Sequence, residues 1–365
     1  MKKLTDLELF ATRLRTARIM RQWSMDDLLY AMPGVKLSKP AISKYENAKM
    51  MPSADIRAAL AKALGVDESY FSRPLVCTNE TAEISFRKKS SMRVAEVKSL
   101  TAKVQDKVER YLEILAILSD AQAYPPIPIL PSRNGVTTHK EAADFAREVR
   151  RKWRLSDDYP IGNVQSELER RGIIVIPIEA DDDFDGLSGK VDKDKVFIAI
   201  NANPNKSHTE RRRLTVMHEL AHQLMTFGPN VTPREEETLC NVFANEMLIT
   251  TPVFKALLQD EPHIDLLSLR PIQCAYGISI DALMKKAEET GLINRWEYTS
   301  FNIVKNKNQN YKQAVEQSLY RESPIYDRFV SLVLKALSLK LIDRDKAKAL
   351  LYDLPDDAKA DLLVI

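Results

Sequence analysis

The 365 residues include 54 lysine or arginine and 51 aspartate or glutamate residues, for a net charge of +3, and 44% of them are hydrophobic. This length is too great for one ordinary domain and predicts two to four folded units. No apolar run approaches the roughly 20 residues that cross a bilayer, so a membrane-spanning protein is excluded. The charged start lacks an apolar signal core, and the three scattered cysteines form no disulfide framework, so we expect a cytoplasmic protein.

The first 75 residues are predicted to form a compact bundle of short helices with a net charge of +5. Ser24 and Ser38 are expected to cap two of these helices, and Pro33-Gly34 ends the first of them. Two short helices joined by a glycine-containing turn can place the second one in the major groove of DNA. The candidates on that second helix for contacts with DNA are Lys39, Ser43 and Lys44.

This stretch resembles the Xre/Cro family of helix-turn-helix regulators through Ile42-Ser-Lys-Tyr-Glu46 and Pro52-Ser53. The resemblance implies a regulator that binds a double-stranded DNA operator as a homodimer. Met25 stands where many family members have glutamine, which puts one phosphate contact in doubt. The alternative is a helix-turn-helix used only for contacts between proteins, because a fold does not dictate its function.

Residues 76–131 are predicted to be a helical linker. Apolar residues at three- and four-residue steps predict a long helix over 94–118, whose apolar stripe suits an interdomain or dimer contact. Its basic face could instead extend a DNA-binding surface. The segment Tyr124-Pro-Pro-Ile-Pro-Ile-Leu-Pro131 has too many prolines for a helix, so it is predicted to be a stiff connector at a domain boundary.

Residues 132–295 are predicted to form a second domain with a small sheet. Helices are expected over 140–153 and 164–171, followed by a strand over 172–177. Two further strands, 185–191 and 195–201, are predicted to form a hairpin through Asp192-Lys-Asp194. An edge strand of this sheet could bind an extended peptide by strand addition.

The most specific motif is His218-Glu-Leu-Ala-His222, of the form H-E-x-x-H, within a segment whose apolar residues recur at helical spacing. On a helix, histidines four residues apart project from one face and can share a zinc ion. Glu219 is then placed to take a proton from a zinc-bound water. The alternative interpretation is that both histidines lie in a helical core, with their ring nitrogens hydrogen-bonded there.

A third ligand is expected from a second amphipathic helix over 233–248. Glu235 and Glu236 are expected to cap that helix, while Cys240 is either a soft ligand or a small apolar packing residue. Glu237 and Glu246 are further carboxylate candidates on this helix.

The segments 213–222 and 237–248 resemble the ImmA/IrrE family of zinc metallopeptidases, as do Phe184-Asp-Gly-Leu-Ser-Gly189 and Ile200-Asn201. The resemblance implies that His218, His222 and Glu237 bind Zn²⁺ and that Glu219 is the general base. Glu246, together with Asn241, is then expected to support the ligands from outside, with Glu246 as the alternative ligand. The donor that stabilises the oxyanion stays open among His208, Tyr276 and an arginine.

Residues 296–365 are predicted to be a C-terminal helical region. The chain is therefore predicted to be mainly α with a small β-sheet (α+β), combining a helix-turn-helix bundle with a zincin-like, gluzincin-type metallopeptidase domain. We expect a DNA-binding transcriptional regulator that cleaves a regulatory protein, such as a repressor or antitoxin-like partner in a phage or toxin–antitoxin operon. The alternative is a non-proteolytic DNA-binding repressor or antitoxin whose zinc domain is a sensor or interaction module.

Overall fold

The computed structural model describes residues 4–75, 83–85, 93–122, 129–180, 184–191, 195–203, 208–321 and 327–362. The chain divides into two compact units and enters each of them more than once. Unit 1 contains Met1–Ala82, Lys88–Pro126 and Tyr326–Ile365, and unit 2 contains Glu83–Arg87 and Ile127–Ile325. The four sequence ranges given above for the domains remain a prediction.

The described chain is mostly helical with two small sheets, which confirms the predicted α+β class. The helices of the first part are α1 (Asp6–Met20), α2 (Met25–Tyr30), α3 (Lys39–Glu46), α4 (Ala54–Leu64), a 3₁₀ helix (Glu68–Ser72), α5 (Val94–Asp120), α6 (His139–Lys152) and α7 (Val164–Glu169). Those that follow are α8 (Thr209–Leu224), α9 (Pro233–Leu248), α10 (Thr251–Leu258), α11 (Leu266–Tyr276), α12 (Ile280–Glu289), α13 (Arg295–Lys307), α14 (Gln309–Glu316), α15 (Arg328–Ser338), α16 (Arg344–Leu350) and α17 (Asp356–Leu362). The strands are β1 (Glu83–Ser85), β2 (Arg133–Val136), β3 (Ile174–Ile178), β4 (Gly186–Val191), β5 (Lys195–Asn201) and β6 (Met225–Phe227). Among the helices in the ranges given above, none is long and apolar enough to cross a membrane.

The N-terminal helices of unit 1 begin at the residues that the sequence indicated. Ser24 caps α2, where Asp27 completes a capping box, and Ser38 caps α3. Apolar side chains from α1 to the 3₁₀ helix form one buried core, including Leu14, Leu28 and Ile42. This burial stabilises the bundle mainly through the hydrophobic effect, at roughly 1.5–3 kcal/mol for a fully buried leucine or isoleucine.

Helix α5 is an integral part of unit 1. Its apolar stripe, which the sequence assigned to an interdomain or dimer contact, packs within this unit against α1 and α15. Arg13 of α1 is 1% exposed and donates from Nη1 to Oε2 of Glu109 over 2.6 Å. The long helix is therefore bound to the N-terminal bundle by a buried ion pair as well as by apolar packing.

The C-terminal helices complete the same unit. Arg110 of α5 is 1% exposed and donates from Nη1 and Nη2 to the two carboxylate oxygens of Asp353, over 2.7 and 2.9 Å. Its Nε also donates to Asp106 over 3.0 Å. A buried guanidinium needs such partners, because an unpaired buried charge costs several kcal/mol.

The sheet of unit 2 has the strand order β1-β4-β5-β3. Strands β3 and β5 are parallel, while β4 is antiparallel to β5 from Val191 opposite Lys195 to Gly186 opposite Ile200. This register agrees with the predicted hairpin, although its predicted turn, Asp192-Lys-Asp194, lies outside the described residues. Most of the predicted proline-rich connector, residues 124–128, lies outside them as well.

The second sheet joins β2 and β6 in parallel beside the end of α8. Helix α8 ends at Leu224 because Met225 turns to an extended conformation and starts β6. The core of unit 2 lies between the larger sheet and α6, α8 and α9, and α8 and α9 carry the site residues.

Candidate metal centre and helix-turn-helix

Three predicted ligands lie together where α8 packs against α9. Nε2 of His222 lies 3.2 Å from Nε2 of His218, which lies 3.2 Å from Oε2 of Glu237. The three ligand atoms all lie within 4.8 Å of one another. In a tetrahedral zinc site with ligand distances of about 2.0–2.1 Å, neighbouring ligand atoms are about 3.3 Å apart. The observed spacing therefore suits zinc, and no other grouping of this kind occurs in the described part of the chain.

The other ring nitrogen of each histidine contacts α9. Nδ1 of His218 donates to Oδ1 of Asn241 over 2.8 Å, which leaves the Nε2 lone pair facing Glu237. Nδ1 of His222 lies 3.2 Å from Sγ of Cys240, and with its hydrogen on Nδ1 this ring directs the lone pair of Nε2 towards the cluster. Such contacts fix the tautomer and the orientation of a ligating imidazole. Cys240 is fully buried and contacts the nitrogen that faces away from the cluster, so it orients His222 instead of adding a ligand.

The cluster is accessible from one side. The side chain of His218 is 13% exposed and that of Glu237 is 44% exposed. A metal with three protein ligands keeps an open position for water or substrate, as catalytic zinc sites do.

Glu219 is buried between α8 and β4. It is 4% exposed, and its Oε2 accepts a hydrogen bond from Oγ of Ser188 over 2.8 Å. Gln223 donates to the same hydroxyl over 2.9 Å. The hydroxyl hydrogen is thereby committed to Glu219, and the carboxylate is held in one position. The sequence pointed to Glu219 but not to Ser188, although Ser188 lies in the Gly-Leu-Ser-Gly segment that carried the family resemblance.

Close packing brings β4 next to this carboxylate. A Cβ atom built on Gly186 would lie 2.7 Å from Cγ2 of Thr215 and 3.2 Å from Cγ of Glu219. Any side chain at this position would push the strand away from α8. Gly186 therefore allows the short distance between Ser188 and Glu219.

Glu246 lies nine residues beyond Glu237 on α9 and contacts none of the three clustered side chains. Its carboxylate accepts hydrogen bonds from Nζ of Lys286 over 2.8 Å and from the backbone nitrogen of Thr251 over 2.9 Å, and it also pairs with Arg147. Burial raises the pKa of Glu246, but Lys286 and Thr251 outweigh it and hold that pKa below its usual value. This carboxylate ties α9 to α6, α10 and α12, a set of contacts that the sequence did not reveal.

The acidic turn at the start of α9 serves the helix end. The backbone nitrogen of Thr232 donates to Oε2 of Glu235 over 2.8 Å. The backbone nitrogen of Glu235 donates to the side chain of Thr232 in turn, which completes a capping box. The hydrogen bonds from Thr232 lower the pKa of Glu235, so an ionised carboxylate caps the helix.

Two of the candidate oxyanion donors, His208 and Tyr276, are placed by contacts outside the three-ligand cluster. His208 precedes α8 as its N-cap, ten residues before His218 and therefore about 15 Å away along the helix axis. The hydroxyl of Tyr276 donates to the carbonyl of Asp158 over 3.3 Å. Neither contact brings a donor to the three-ligand cluster.

The predicted DNA-facing residues lie on α3 of unit 1. Lys44 is exposed, Ser43 is half-buried, and Lys39 forms a 2.6 Å ion pair with Asp26 of α2. Glu46 faces inward, where Nε and Nη2 of Arg18 donate to its two oxygens over 2.6 and 2.7 Å. Lys44 thus offers its charge to solvent, whereas the charge of Lys39 is partly balanced by Asp26.

Comparisons with protein families match two segments of the chain. Residues 14–71 match the family model of a helix-turn-helix, and residues 169–288 match that of an IrrE N-terminal-like domain of the M78 peptidases. These matches confirm the two resemblances found in the sequence. Searches of the curated proteins and of the solved structures found no match.

Proposed function

We propose that this chain, in which a helix-turn-helix precedes an IrrE-like peptidase domain, is a DNA-binding regulator with a zinc-dependent endopeptidase site. His218, His222 and Glu237 are the ligands, and Glu219 is the general base. The observation that carries this proposal is the clustering of the three ligand atoms within 4.8 Å of one another, with Glu219 buried beside β4.

Zinc, when bound, polarises the scissile carbonyl and lowers the pKa of a bound water. Glu219 takes the proton of the attacking water and returns it to the leaving amine nitrogen. Ser188 holds Oε2 of Glu219 during both transfers, since its hydroxyl donates to that oxygen. Asn241 and Cys240 keep the two imidazoles oriented through their Nδ1 atoms.

The substrate that we propose is a regulatory protein, such as a repressor or antitoxin-like partner. A peptidase able to cut any extended chain would damage its host, so a narrow substrate or a latent state is required. The helix-turn-helix in the same chain links the peptidase to transcription and supports a substrate involved in that regulation. We expect the site to act only after a cellular signal, and the full protein to bind its operator as a homodimer.

The proposal is tested with wild type, His218→Ala and Glu219→Gln, purified with zinc. Metal analysis should find one zinc per chain in wild type and Glu219→Gln, and none in His218→Ala. Each protein is then incubated with the products of the neighbouring genes, and the fragments are mapped by mass spectrometry. We expect cleavage by wild type alone, and Glu219→Gln should be about 10²- to 10⁴-fold slower because it lacks the base.

Two results would contradict the proposal. If both His218→Ala and His222→Ala retain zinc, these histidines are not its ligands. If wild type and Glu219→Gln cleave at equal rates, the activity does not come from this site. A zinc-loaded protein that binds DNA but cleaves none of the partners would favour the non-proteolytic regulator with a sensing or interaction domain.

A further inference from the structure

Strand β1 lies on the outer edge of β4 in the sheet of unit 2. The two strands are antiparallel, with Glu83 opposite Lys190, Ile84 opposite Gly189 and Ser85 opposite Ser188. Strand β5 occupies the other edge of β4 along its whole length. The sequence predicted a strand in this sheet with a free edge for a peptide, and the structure shows β4 paired on both sides.

Within the described residues, the pairing reaches the proposed general base. Ser85 lies opposite Ser188, whose hydroxyl donates to Glu219 over 2.8 Å. Neighbouring strands are about 4.8 Å apart, so the backbone of β1 runs one strand spacing from Ser188. A peptide paired with the outer side of β4, in the place of β1, would therefore run past the residue that holds Glu219.

Extended peptides bind to sheet edges because their backbone groups continue the ladder of hydrogen bonds. An external chain and β1 need the same backbone groups of β4, so they cannot pair with it together. We infer that the outer edge of β4 is the binding strand for an extended peptide substrate, and that Glu83–Ser85 occupies it as an intramolecular blocking strand. This inference rests on the proposed peptidase function.

A tethered strand blocks effectively even when it is short. Because β1 and β4 belong to one chain, their pairing is intramolecular, and a free peptide with similar contacts competes against the effective concentration of β1. Three residue pairs join β1 to β4 in the described part of the chain, so a substrate strand with more pairs can displace it. In the sequence, β1 lies between two segments of unit 1, Met1–Ala82 and Lys88–Pro126.

The test measures peptide binding in the full chain, with Glu219→Gln present so that nothing is cleaved. The probe is a fluorescent peptide of residues 80–88, and a peptide of scrambled sequence serves as the control probe. Ile84→Pro and Ser85→Pro each remove one backbone N–H, and since alternate residues of a strand face the neighbour, one of the two removes a bond to β4. Ile84→Ala and Ser85→Ala are the matched controls, because they keep the backbone donor.

We expect the probe to bind at least tenfold more tightly to one proline variant than to the alanine variants, by fluorescence anisotropy. Hydrogen exchange should rise in residues 186–191 and stay unchanged in 195–201, which shows that β5 remains folded. Unchanged exchange in 186–191, or faster exchange without tighter binding of the probe, would overturn the inference. Neither readout needs turnover, so a protein that never cleaves a substrate can still pass this test.

A reversible lock gives a second test that needs no proline. Glu83→Cys with Lys190→Cys, in a chain whose Cys77 and Cys274 are changed to serine, places two thiols at directly opposed positions. Opposed residues of an antiparallel pair have Cα atoms about 4.5–5.5 Å apart, within the range of a disulfide. The oxidised protein should bind the probe at least tenfold more weakly than the reduced protein. Failure of the disulfide to form, or equal binding in both redox states, would show that β1 does not block β4.

Discussion

The hydroxyl of Ser188 on β4 donates to Oε2 of Glu219 on α8 over 2.8 Å, with both side chains buried. Ser188→Ala should retain zinc and the fold but lower kcat, because Glu219 loses the bond that holds it. A hydrogen bond to a charged group contributes about 1.5–3 kcal/mol, so we expect a fall of about tenfold or more. The measurement is the cleavage rate of the partner protein at saturating substrate, with Ser188→Thr as the variant that keeps a hydroxyl. Equal rates in Ser188→Ala and wild type would show that this contact does not support the base.

Asn241 should act on zinc affinity through His218. Asn241→Ala removes the acceptor for Nδ1 of His218, so the imidazole loses its fixed orientation. Loss of a partner of this kind weakens metal binding or activity about 10- to 100-fold. Competition with a zinc chelator measures the change, and Asn241→Asp, which keeps an oxygen acceptor, should retain affinity. A zinc affinity that is unaltered in Asn241→Ala would contradict this role.

Glu246 should matter for stability and leave zinc binding intact. Glu246→Ala leaves Lys286, whose side chain is 5% exposed, without its carboxylate partner. Breaking a buried ion pair on one side costs about 3–5 kcal/mol, so the free energy of unfolding should fall by that order. Chemical denaturation measures the loss, and metal analysis of the folded fraction should still find one zinc per chain. Loss of zinc from a folded Glu246→Ala protein would make Glu246 the third ligand instead of Glu237.

The ion pair between Asp353 and Arg110 should make the stability of unit 1 fall at acidic pH. Burial raises the pKa of Asp353, but Arg110 and Lys107 outweigh it and hold that pKa well below its usual value. Because the folded-state pKa is depressed, this stabilisation is complete above the unfolded-state pKa of about 3.9 and is lost as the pH falls through the folded-state pKa. Wild type should therefore have a higher Tm than Asp353→Asn at pH 7, and the difference should shrink below about pH 4. Both proteins are measured without metal, and a Tm difference that does not change with pH would contradict the prediction.

Lys44 should contribute a phosphate contact to operator binding. Its charge is exposed on α3, and Lys44→Gln should lower affinity and reduce the slope of log affinity against log salt by about 1. Lys255→Gln, on an exposed position of α10 in unit 2, is the matched control and should change neither quantity. Equal salt slopes for Lys44→Gln and wild type would favour a helix-turn-helix that contacts proteins.

Much of the local structure followed from the sequence because the signals are local. Ser24 and Ser38 cap helices as predicted, the two strands of the predicted hairpin pair with each other, and the spacing of His218 and His222 brings both rings to one side of α8. The contacts that were not predicted join residues far apart in the chain. The short strand β1 has no periodic pattern of its own, and the bond from Ser188 to Glu219 depends on how closely β4 packs on α8.

The C-terminal helices illustrate the same limit. The sequence predicted a helical region over 296–365, but nothing in that region showed which part of the chain it would pack against. Helices α13 and α14 belong to unit 2, whereas α15–α17 belong to unit 1. The pairing of Arg110 with Asp353 spans 243 positions, a separation at which sequence patterns carry no information about contacts.

The pairing of Arg110 with Asp353 can form only after unit 2 has been translated. A ribosome makes Asp353 after Arg110 and after all of unit 2 has been translated. Until then, the guanidinium that unit 1 buries has no carboxylate from the C-terminal helices. A chain that stops before α15 therefore lacks part of the unit that holds the helix-turn-helix, and that unit is complete only in molecules that already carry unit 2.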